Sequence, residues 1–338
     1  MQLYTLEFFI FRILIKHKII MVIIIGAGPI GLATGIELKK RNIPFMIIER
    51  GCLVQSLYNY PVNMTFFSTS DKLEIGGIPF ISHGFKPTRS EALEYYRRAA
   101  QHYDLPIQLY ETVNGVSGEN GRYSVHTTKG DYKASKIVIA TGFYGTPNKM
   151  GIPGEDLPKV QHYYKDAHPY AWQKVLVVGA GNSGVDVALE CYRSGAEVSM
   201  AIRYPEVKPT VKYWVKPDIE NRIKKGEIKA YLNTEVVEIR KGEVDLSTPE
   251  GLITIENDFV LAMTGYRPNY SLLDILGIDY STDELCIPVH DKQYLETNRK
   301  GIYVAGVVCA GLQTSKLFIE NSRVHAEQIT SHIEQSID

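Results

Sequence analysis

The sequence predicts an α/β protein in which two nested domains each contain a parallel β-sheet. An aliphatic run that ends in glycine occurs twice, at Val22–Ile25 and at Lys174–Val178. Such runs, without polar alternation, are typical of parallel strands that are buried on both faces. A helical segment and a second short strand follow each run, and a chain of 338 residues corresponds to about two domains.

The first cycle is a β-α-β unit, the building block of a doubly wound sheet. Its strands are predicted at Val22–Ile25 and Phe45–Ile48, with a helix over residues 29–40 between them. A polar helix, Arg89–His102, comes later. A Gly-Glu-Asn-Gly sequence at 118–121 then predicts a hairpin. The short strand-like segments of this region are Ile107–Tyr110, Tyr123–Thr127 and Ile137–Ala140.

The second cycle repeats this order. Its predicted elements are the strand Lys174–Val178, the helix Asn182–Ser194, the strand Val198–Ile202, hairpin segments at Thr234–Arg240, Glu243–Ser247 and Leu252–Glu256, and the closing strand Phe259–Ala262. The tail supplies one strand, Ile302–Val304, and a helix over about 315–333. Because this tail is too small to fold alone, we expect it to complete the first domain's sheet. The predicted domains are therefore 21–154 with 276–338, and an inserted domain over 155–275.

Composition and charge exclude several classes of protein. The 37 Lys and Arg residues balance 38 Asp and Glu residues, whereas nucleic-acid-binding proteins carry a basic footprint. Residues 1–20 are interrupted by charges, so they predict an N-terminal extension or a disordered arm and no membrane span. None of the four cysteines (Cys52, Cys191, Cys286 and Cys309) forms a CxxC pair, and the histidines form no ligand cluster. We therefore predict a cytoplasmic protein without a metal site.

Two GxGxxG sequences follow the two glycine-ended strands. The first glycine of such a motif permits a tight turn, the second lets a pyrophosphate approach the backbone, and the third lets the helix pack on the strand. The following helix N-terminus offers N–H groups to phosphates. The alternative is a pair of tight turns without a ligand. The candidate cofactor residues in these motifs are Gly26, Gly28, Pro29 and Gly31, and Gly179, Gly181, Asn182, Ser183 and Gly184.

The residue after the second strand distinguishes the two sites. Glu49 ends the second strand of the first cycle, where a carboxylate accepts hydrogen bonds from the ribose hydroxyls of FAD or NAD. The corresponding position of the second cycle has Arg203 and no acid, which favours the 2′-phosphate of NADPH. A solvated surface arginine is the alternative for Arg203. Two nucleotides in tandem domains indicate an electron relay, with tightly bound FAD first and dissociable NADPH second.

Three strand ends resemble those of two-domain flavoprotein reductases. They are Ala140-Thr141-Gly142, Thr264-Gly265-Tyr266-Arg267-Pro268-Asn269, and Gly301-Ile302-Tyr303-Val304-Ala305-Gly306, of which the last resembles the flavin-contacting strand of the thioredoxin reductase class. That class has a CxxC pair in its NADPH domain and an Asp at position 307, where this chain has Val307. The resemblance implies a thioredoxin-reductase-like pair of Rossmann-like domains, with Thr141, Gly142, Gly265, Gly306 and Val307 as further cofactor-binding candidates.

The similarity to the YpdA family, the bacillithiol disulfide reductases, is closer. It is carried by residues 58–80, 153–170, 257–269, 302–311 and 318–323, and that family also has Val at position 307. The resemblance implies FAD, NADPH, reduction of a low-molecular-weight disulfide, and a homo-oligomer, either a dimer or a tetramer. Hydride transfer from NADPH to flavin N5 then carries the chemistry, and no catalytic side chain is assigned.

One departure from that family affects the mechanism. Well-known members have Cys at the position of Ile30, which cannot form a mixed disulfide. Either the chemistry needs no protein thiol or the protein reduces another acceptor. Cys309 is a candidate substitute for that thiol. The alternative is that Cys309 is a small buried cysteine that only contributes to packing. Lys72 is a candidate partner of flavin N5 or of a ribityl hydroxyl.

The sequence is also compatible with other electron acceptors and other functions. Electron delivery to a carrier protein, as in ferredoxin- or flavodoxin-NADP reductases, also requires no CxxC pair. A flavin monooxygenase-like enzyme is disfavoured because the FxGxxxH signature fails, with Asp156 and Pro158 at its Phe and Gly positions before His162. A redox-sensing flavoprotein that acts by binding a partner is the alternative from outside the enzymes.

Overall fold

The structure is a computed structural model that describes residues 22–336. The predicted extension at residues 1–20 lies outside the described residues. The strands are β1 (Val22–Ile25), β2 (Phe45–Ile48), β3 (Ile107–Gln108), β4 (Val113–Glu119), β5 (Arg122–Thr127), β6 (Asp131–Ala134), β7 (Lys136–Ile139), β8 (Val160–Gln161), β9 (Lys174–Val178), β10 (Glu197–Ile202), β11 (Lys229–Leu232), β12 (Glu235–Ile239), β13 (Glu243–Thr248), β14 (Gly251–Glu256), β15 (Phe259–Ala262) and β16 (Ile302–Val304). The α-helices are α1 (Pro29–Lys40), α2 (Gln55–Tyr58), α3 (Arg89–His102), α4 (Asn182–Arg193), α5 (Lys216–Lys224), α6 (Tyr270–Ile275), α7 (Ile319–Ser322) and α8 (His325–Gln335).

The chain divides into two compact units. The first unit contains the described residues up to Tyr58, together with Thr65–Thr146 and Arg267 onward. The second unit contains Asn59–Met64 and Pro147–Tyr266. These bounds differ from the expected 155 and 275. The segment after Pro147 is fastened inside the second unit, because Asn148 N–H donates to Gly265 O (2.9 Å) and the Thr264 hydroxyl donates to Asn148 O (2.6 Å).

The first unit is organised around a parallel sheet with the strand order β16-β7-β1-β2-β3. The central β1 strand is fully buried, as its continuous aliphatic sequence predicts. β16 pairs with β7, so the tail completes this sheet as expected. A separate antiparallel sheet of β4, β5 and β6 contains the predicted hairpin, whose turn has positive φ at Asn120 and Gly121.

The second unit repeats this plan in a parallel sheet with the order β11-β10-β9-β15-β8. Successive residues of β9 enter different cores. Val175 and Val177 pack in the core that includes α4, whereas Leu176 packs with residues of the antiparallel sheet β12-β13-β14. A strand that is buried on both faces needs the aliphatic run that the sequence shows. The predicted fold class, two parallel Rossmann-like sheets in an α/β protein, is confirmed.

Some sequence expectations were wrong or incomplete. The final helix does not start near residue 315. Instead, α7 begins at Ile319 and ends at Ser322, and a separate helix, α8, begins at His325. Phe318 is extended (φ −132°, ψ 176°), and its N–H donates to Asn321 Oδ1 (2.7 Å), which fixes the later start. The elements that were not predicted from the sequence are β4, β6, β8, β11, α2, α5 and α6. No helix within residues 22–336 is long and apolar enough to cross a membrane.

Candidate functional site

The glycine turn of the first unit joins β1 to α1, as the motif predicts. Gly26 has φ +110°, and a Cβ there would lie 2.6 Å from Ala140 O. A Cβ on Gly31 would lie only 1.9 Å from Gly26 O, so helix and strand can approach only with glycine there. By contrast, a Cβ on Gly28 would meet nothing within 4 Å. The first and third glycines therefore serve packing, and the second leaves open space next to the helix N-terminus, where Pro29 is the first helical residue.

An open cleft extends along the carboxyl ends of β1, β2 and β7. This edge is where ligands bind in open α/β sheets. Four predicted cofactor residues line the cleft: Gly26, Glu49, Thr141 and Gly142. Arg50, Glu111, Arg267 and Asn269 also line the cleft, although none of them was a candidate cofactor residue from the sequence. Arg50 directly follows Glu49, and Arg267 and Asn269 belong to the motif at 264–269. Glu111 could be found only from the pairing of β3 with β2.

Glu49 occupies the position expected of a ribose-binding carboxylate. Its side chain is buried, with Oε2 accepting from Ala27 N–H (2.9 Å) and Oε1 accepting from Gly51 N–H (2.9 Å). These bonds fix the carboxylate between the glycine turn and the end of β2. A carboxylate oxygen can accept more than one hydrogen bond, so both oxygens keep capacity for hydroxyl donors. The open space at Gly28 and the fixed carboxylate of Glu49 fit the adenosine diphosphate part of FAD.

Gly306, Val307 and Cys309 share a 3-10 helix, Gly306–Ala310, after β16. Gly306 has φ +81°, and a Cβ there would lie 3.1 Å from Cγ1 of Ile30, so these two residues pack together. Its N–H donates to Nδ1 of the buried His325 (3.1 Å), a residue that was not predicted from the sequence. Burial lowers the pKa of His325 to about 4 and raises the pKa of Cys309.

The structure gives Cys309 and Lys72 little support as reactive groups. Cys309 Sγ is 3.8 Å from His325 Nδ1, but the thiol is buried and its raised pKa disfavours the nucleophilic thiolate. Lys72 is exposed on a short 3-10 helix, Ser70–Leu73, and is not among the residues of the cleft. Val307 is half-buried beside Gly306.

The glycine turn of the second unit has the same geometry as the first. A Cβ on Gly179 would lie 2.7 Å from Met263 O, and a Cβ on Gly184 would lie 2.2 Å from Gly179 O. A Cβ on Gly181 would meet nothing within 4 Å, so open space again adjoins a helix N-terminus. Asn182 and Ser183, the first residues of α4, are exposed there. The repeated geometry fits a second dinucleotide.

The loop after β10 folds over this second turn and is rich in cations. Lys208 N–H donates to Ala180 O (3.3 Å), and Lys212 N–H donates to Asn182 Oδ1 (2.9 Å). Arg203 is exposed at the end of β10, and its guanidinium lies 5.8 Å from the Tyr204 ring centroid. Lys208 Nζ lies 5.2 Å from the same centroid. The two cations therefore lie near one aromatic ring beside the glycine turn, and only Arg203 was predicted from the sequence.

Gly265 follows β15 at the carboxyl edge of the same sheet. Its φ is +92°, and a Cβ there would lie 3.3 Å from Nδ2 of Asn148. Nearby, His162 follows β8, with its Nε2 3.5 Å from Glu155 Oε1, and burial lowers the pKa of this histidine. Within residues 22–336, no group of three or more His, Cys, Asp or Glu side chains could hold a metal ion.

These features define a class of protein: an α/β oxidoreductase with one dinucleotide turn in each unit. The family model described as pyridine nucleotide-disulphide oxidoreductase matches residues 23–306, so the chain is an enzyme of that class.

The more specific family follows from similar proteins. The chain is 43% identical to the bacilliredoxin reductase Bdr of Bacillus subtilis (strain 168) over 92% of this chain and 96% of that one. The solved bacillithiol disulfide reductase Bdr (YpdA) from Staphylococcus aureus matches with a TM-score of 0.91 and 40% identity, covering 94% of this chain and 99% of that one. A thioredoxin reductase from Lactococcus lactis, with a TM-score of 0.74, 20% identity and coverage of 94% and 98%, shares the fold. The chain belongs to the Bdr (YpdA) family, as the sequence resemblance predicted.

Proposed function

We propose that this chain uses FAD in its first unit and NADPH in its second to reduce a bacillithiol-type disulfide to two thiols. The cofactor assignment rests on one observation. The two glycine turns have the same geometry, but a carboxylate adjoins the first turn and cations adjoin the second. The buried Glu49 carboxylate adjoins the first turn, which suits a ribose without a 2′-phosphate. Arg203 and Lys208 adjoin the second, which suits a 2′-phosphate.

Bound FAD would supply a centre that takes up two electrons as hydride and passes them to a disulfide. The overall reaction consumes one NADPH, one proton and one disulfide, and yields NADP⁺ and two thiols. The chain's contribution is to hold the nucleotides. Glu49 would hold the ribose, the N-termini of α1 and α4 would bind the phosphates, and the open space at Gly28 and Gly181 would admit the two pyrophosphates.

The cysteines of the chain support a reaction without a protein thiol. All four are free. Burial raises the pKa of Cys191 to about 12 and raises that of Cys309, and burial together with the Glu49 charge raises that of Cys52. A raised pKa leaves little thiolate at neutral pH, and the thiolate is the nucleophile in disulfide exchange. We therefore assign Cys52, Cys191 and Cys309 no catalytic role, and Ile30 is compatible with the activity.

Anaerobic NADPH consumption by the FAD-loaded protein tests this proposal, with bacillithiol disulfide as the only acceptor. We expect multiple turnovers and two thiols formed per NADPH, with Cys309→Ala turning over within about twofold of the unaltered protein because its thiol is predominantly protonated. Bacilliredoxin, which the name of the Bacillus subtilis relative gives as its substrate, is the second acceptor to test, because the solved relative is named for bacillithiol disulfide instead. Flavin bleaching without turnover on either acceptor would reject the disulfide and point to carrier proteins.

The cation pair of the second unit predicts cofactor specificity. Arg203→Ala should raise the KM for NADPH about 10- to 100-fold, because a hydrogen bond between charged groups contributes about 1.5–3 kcal/mol. The KM for NADH, which lacks the 2′-phosphate, should change little. Steady-state kinetics with both nucleotides measure this.

Lys229→Ala is the matched control for this change, because Lys229 is also an exposed cation above a tyrosine, Tyr231, at 4.9 Å. It begins β11, opposite Ser199 and away from the carboxyl end of β10. This variant should leave both KM values unchanged. Equal effects of Arg203→Ala on NADPH and NADH would contradict the assignment of the 2′-phosphate site.

A further inference from the structure

The loop between β10 and α5, residues 203–215, is attached to the second unit at several points. Val207 and Val211 are buried in the core that includes α4, so they fix the base of the loop. Between them, Lys208 is exposed, and its N–H donates to Ala180 O over a long 3.3 Å. A further attachment near Lys208 would hold this cation more firmly beside the glycine turn.

Asn182, the first residue of α4, supplies that attachment. Its Oδ1 accepts the backbone N–H of Lys212 at 2.9 Å, an ordinary hydrogen-bond length. A single tight turn connects Lys212 to Lys208, because the Val211 N–H donates to Lys208 O (3.1 Å). The Asn182 amide therefore fixes one end of this turn, and Lys208 lies at the other end.

The two lysines of this turn differ in what their charges do. Lys212 Nζ lies 2.7 Å from Asp186 Oδ2 in the second turn of α4, so its charge is paired with a carboxylate. Lys208 Nζ lies 5.2 Å from the centroid of the Tyr204 ring, which the guanidinium of Arg203 also approaches. Lys212 therefore fastens the loop to α4, whereas Lys208 is presented beside Arg203.

We propose that Asn182 is a positioning residue for nucleotide selection. Through the Lys212 N–H it holds Lys208 where the ammonium group reaches the 2′-phosphate of NADPH. This rests on the assignment of the 2′-phosphate to Arg203 and Lys208. Since NAD⁺ lacks that phosphate, loss of the Asn182 side chain should weaken binding of NADP⁺ and leave that of NAD⁺. A direct bond from Asn182 to the pyrophosphate, which both nucleotides share, would instead weaken both alike.

Isothermal titration calorimetry of the full chain with NADP⁺ and with NAD⁺ tests this without turnover. We expect Asn182→Ala to lower the preference for NADP⁺, the ratio of the two Kd values, about 3- to 10-fold, as for the loss of one neutral hydrogen bond. Asn182→Asp keeps an acceptor for the Lys212 N–H. It should therefore keep the preference within about twofold of the unaltered protein, even where its added charge weakens binding of both nucleotides.

A double-mutant cycle shows whether Asn182 acts through Lys208. Lys208→Ala should lower the preference about 10-fold or more, because it removes a charged partner of the phosphate. Adding Asn182→Ala to this variant should then change the preference by less than about twofold, since no ammonium group remains to be positioned. A further loss equal to that seen in the unaltered background would show that Asn182 acts independently of Lys208, and the proposal would fail.

Asp218→Asn is the matched control, because it weakens another polar link between α4 and the segment that follows the loop. Asp218 of α5 accepts from Arg193, the last residue of α4, and from Arg222. This variant should leave both Kd values within about twofold. An equal loss of affinity for both nucleotides in Asn182→Ala, or an unchanged preference, would overturn the proposal alone. An unaltered protein that binds both nucleotides equally would overturn the 2′-phosphate assignment together with it.

Discussion

Gly31→Ala is expected to abolish flavin retention and to lower the free energy of unfolding of the first unit by about 3 kcal/mol or more. The methyl group would lie 1.9 Å from Gly26 O and 3.1 Å from the Gly26 carbonyl carbon. Both atoms belong to the backbone of the turn, so no side-chain rotation can relieve the clash. The helix must move away from β1, and the N–H groups at its N-terminus would move with it.

The measurements are the flavin-to-protein ratio after purification and urea unfolding followed by circular dichroism. Gly35→Ala is the matched control in the same helix. Its methyl group would lie 2.9 Å from Cδ1 of Ile47 and 3.0 Å from Cε2 of Phe45, both side-chain atoms rather than backbone, and alanine also favours the helix over glycine. We expect this control to keep its flavin. Retention of flavin by Gly31→Ala at the level of the control would contradict the proposed role of the turn.

The equivalent change in the second unit separates the two sites. A methyl group on Gly184 would lie 2.2 Å from Gly179 O, so the same displacement of helix from strand is expected there. Gly184→Ala should therefore lose reduction of the flavin by NADPH in stopped-flow experiments. It should keep the flavin, because the first turn is intact.

The sequence was most informative where one short segment carries the whole signal. β1, β2, β9 and β15 have the predicted bounds, because a strand buried on both faces needs an uninterrupted aliphatic run. The two GxGxxG turns are equally local, since the first and third glycines of each are required by contacts within a single β-α unit and its neighbouring strand. Local patterns of this kind do not depend on knowing the strand order.

The sequence was least informative where distant segments meet. Glu111 is separated from Glu49 by a long stretch of chain, and only the pairing of β2 with β3 brings the two carboxylates together. Lys208 joins Arg203 because its loop folds back on the turn at Ala180. His325 was missed for the same reason. Its partner, Gly306, lies just after β16, and no pattern in the sequence links the two residues.

His325 makes the stability of the protein depend on pH. Burial is the main reason that its pKa falls to about 4 from an ordinary 6.5, and the nearby His290 lowers it further. As the pH falls below 6.5, the unfolded chain binds a proton at this position before the folded protein does. The stabilising contribution is therefore complete above pH 6.5 and is lost progressively between pH 6.5 and 4. With 1.36 kcal/mol for each pH unit, the loss amounts to about 3 kcal/mol.

His325→Asn isolates this contribution. The Oδ1 atom of asparagine can accept the Gly306 N–H as Nδ1 of the histidine does, but the amide does not titrate in this range. Urea unfolding between pH 7.5 and 4.5 should show that the variant loses about 2–3 kcal/mol less stability than the unaltered protein. His126→Asn, the same change at a more exposed histidine, is the control for replacing an imidazole by an amide.

The same titration should affect the flavin, because His325 holds the N–H of Gly306 at the start of the segment with Val307 and Cys309. Protonation of Nδ1 would remove the acceptor of this bond, and the buried N–H would be left unsatisfied. We therefore expect acid to release flavin from the unaltered protein at a higher pH than from His325→Asn, as followed by flavin fluorescence. Parallel release curves, or parallel stability profiles, would show that Gly306 does not depend on the neutral imidazole.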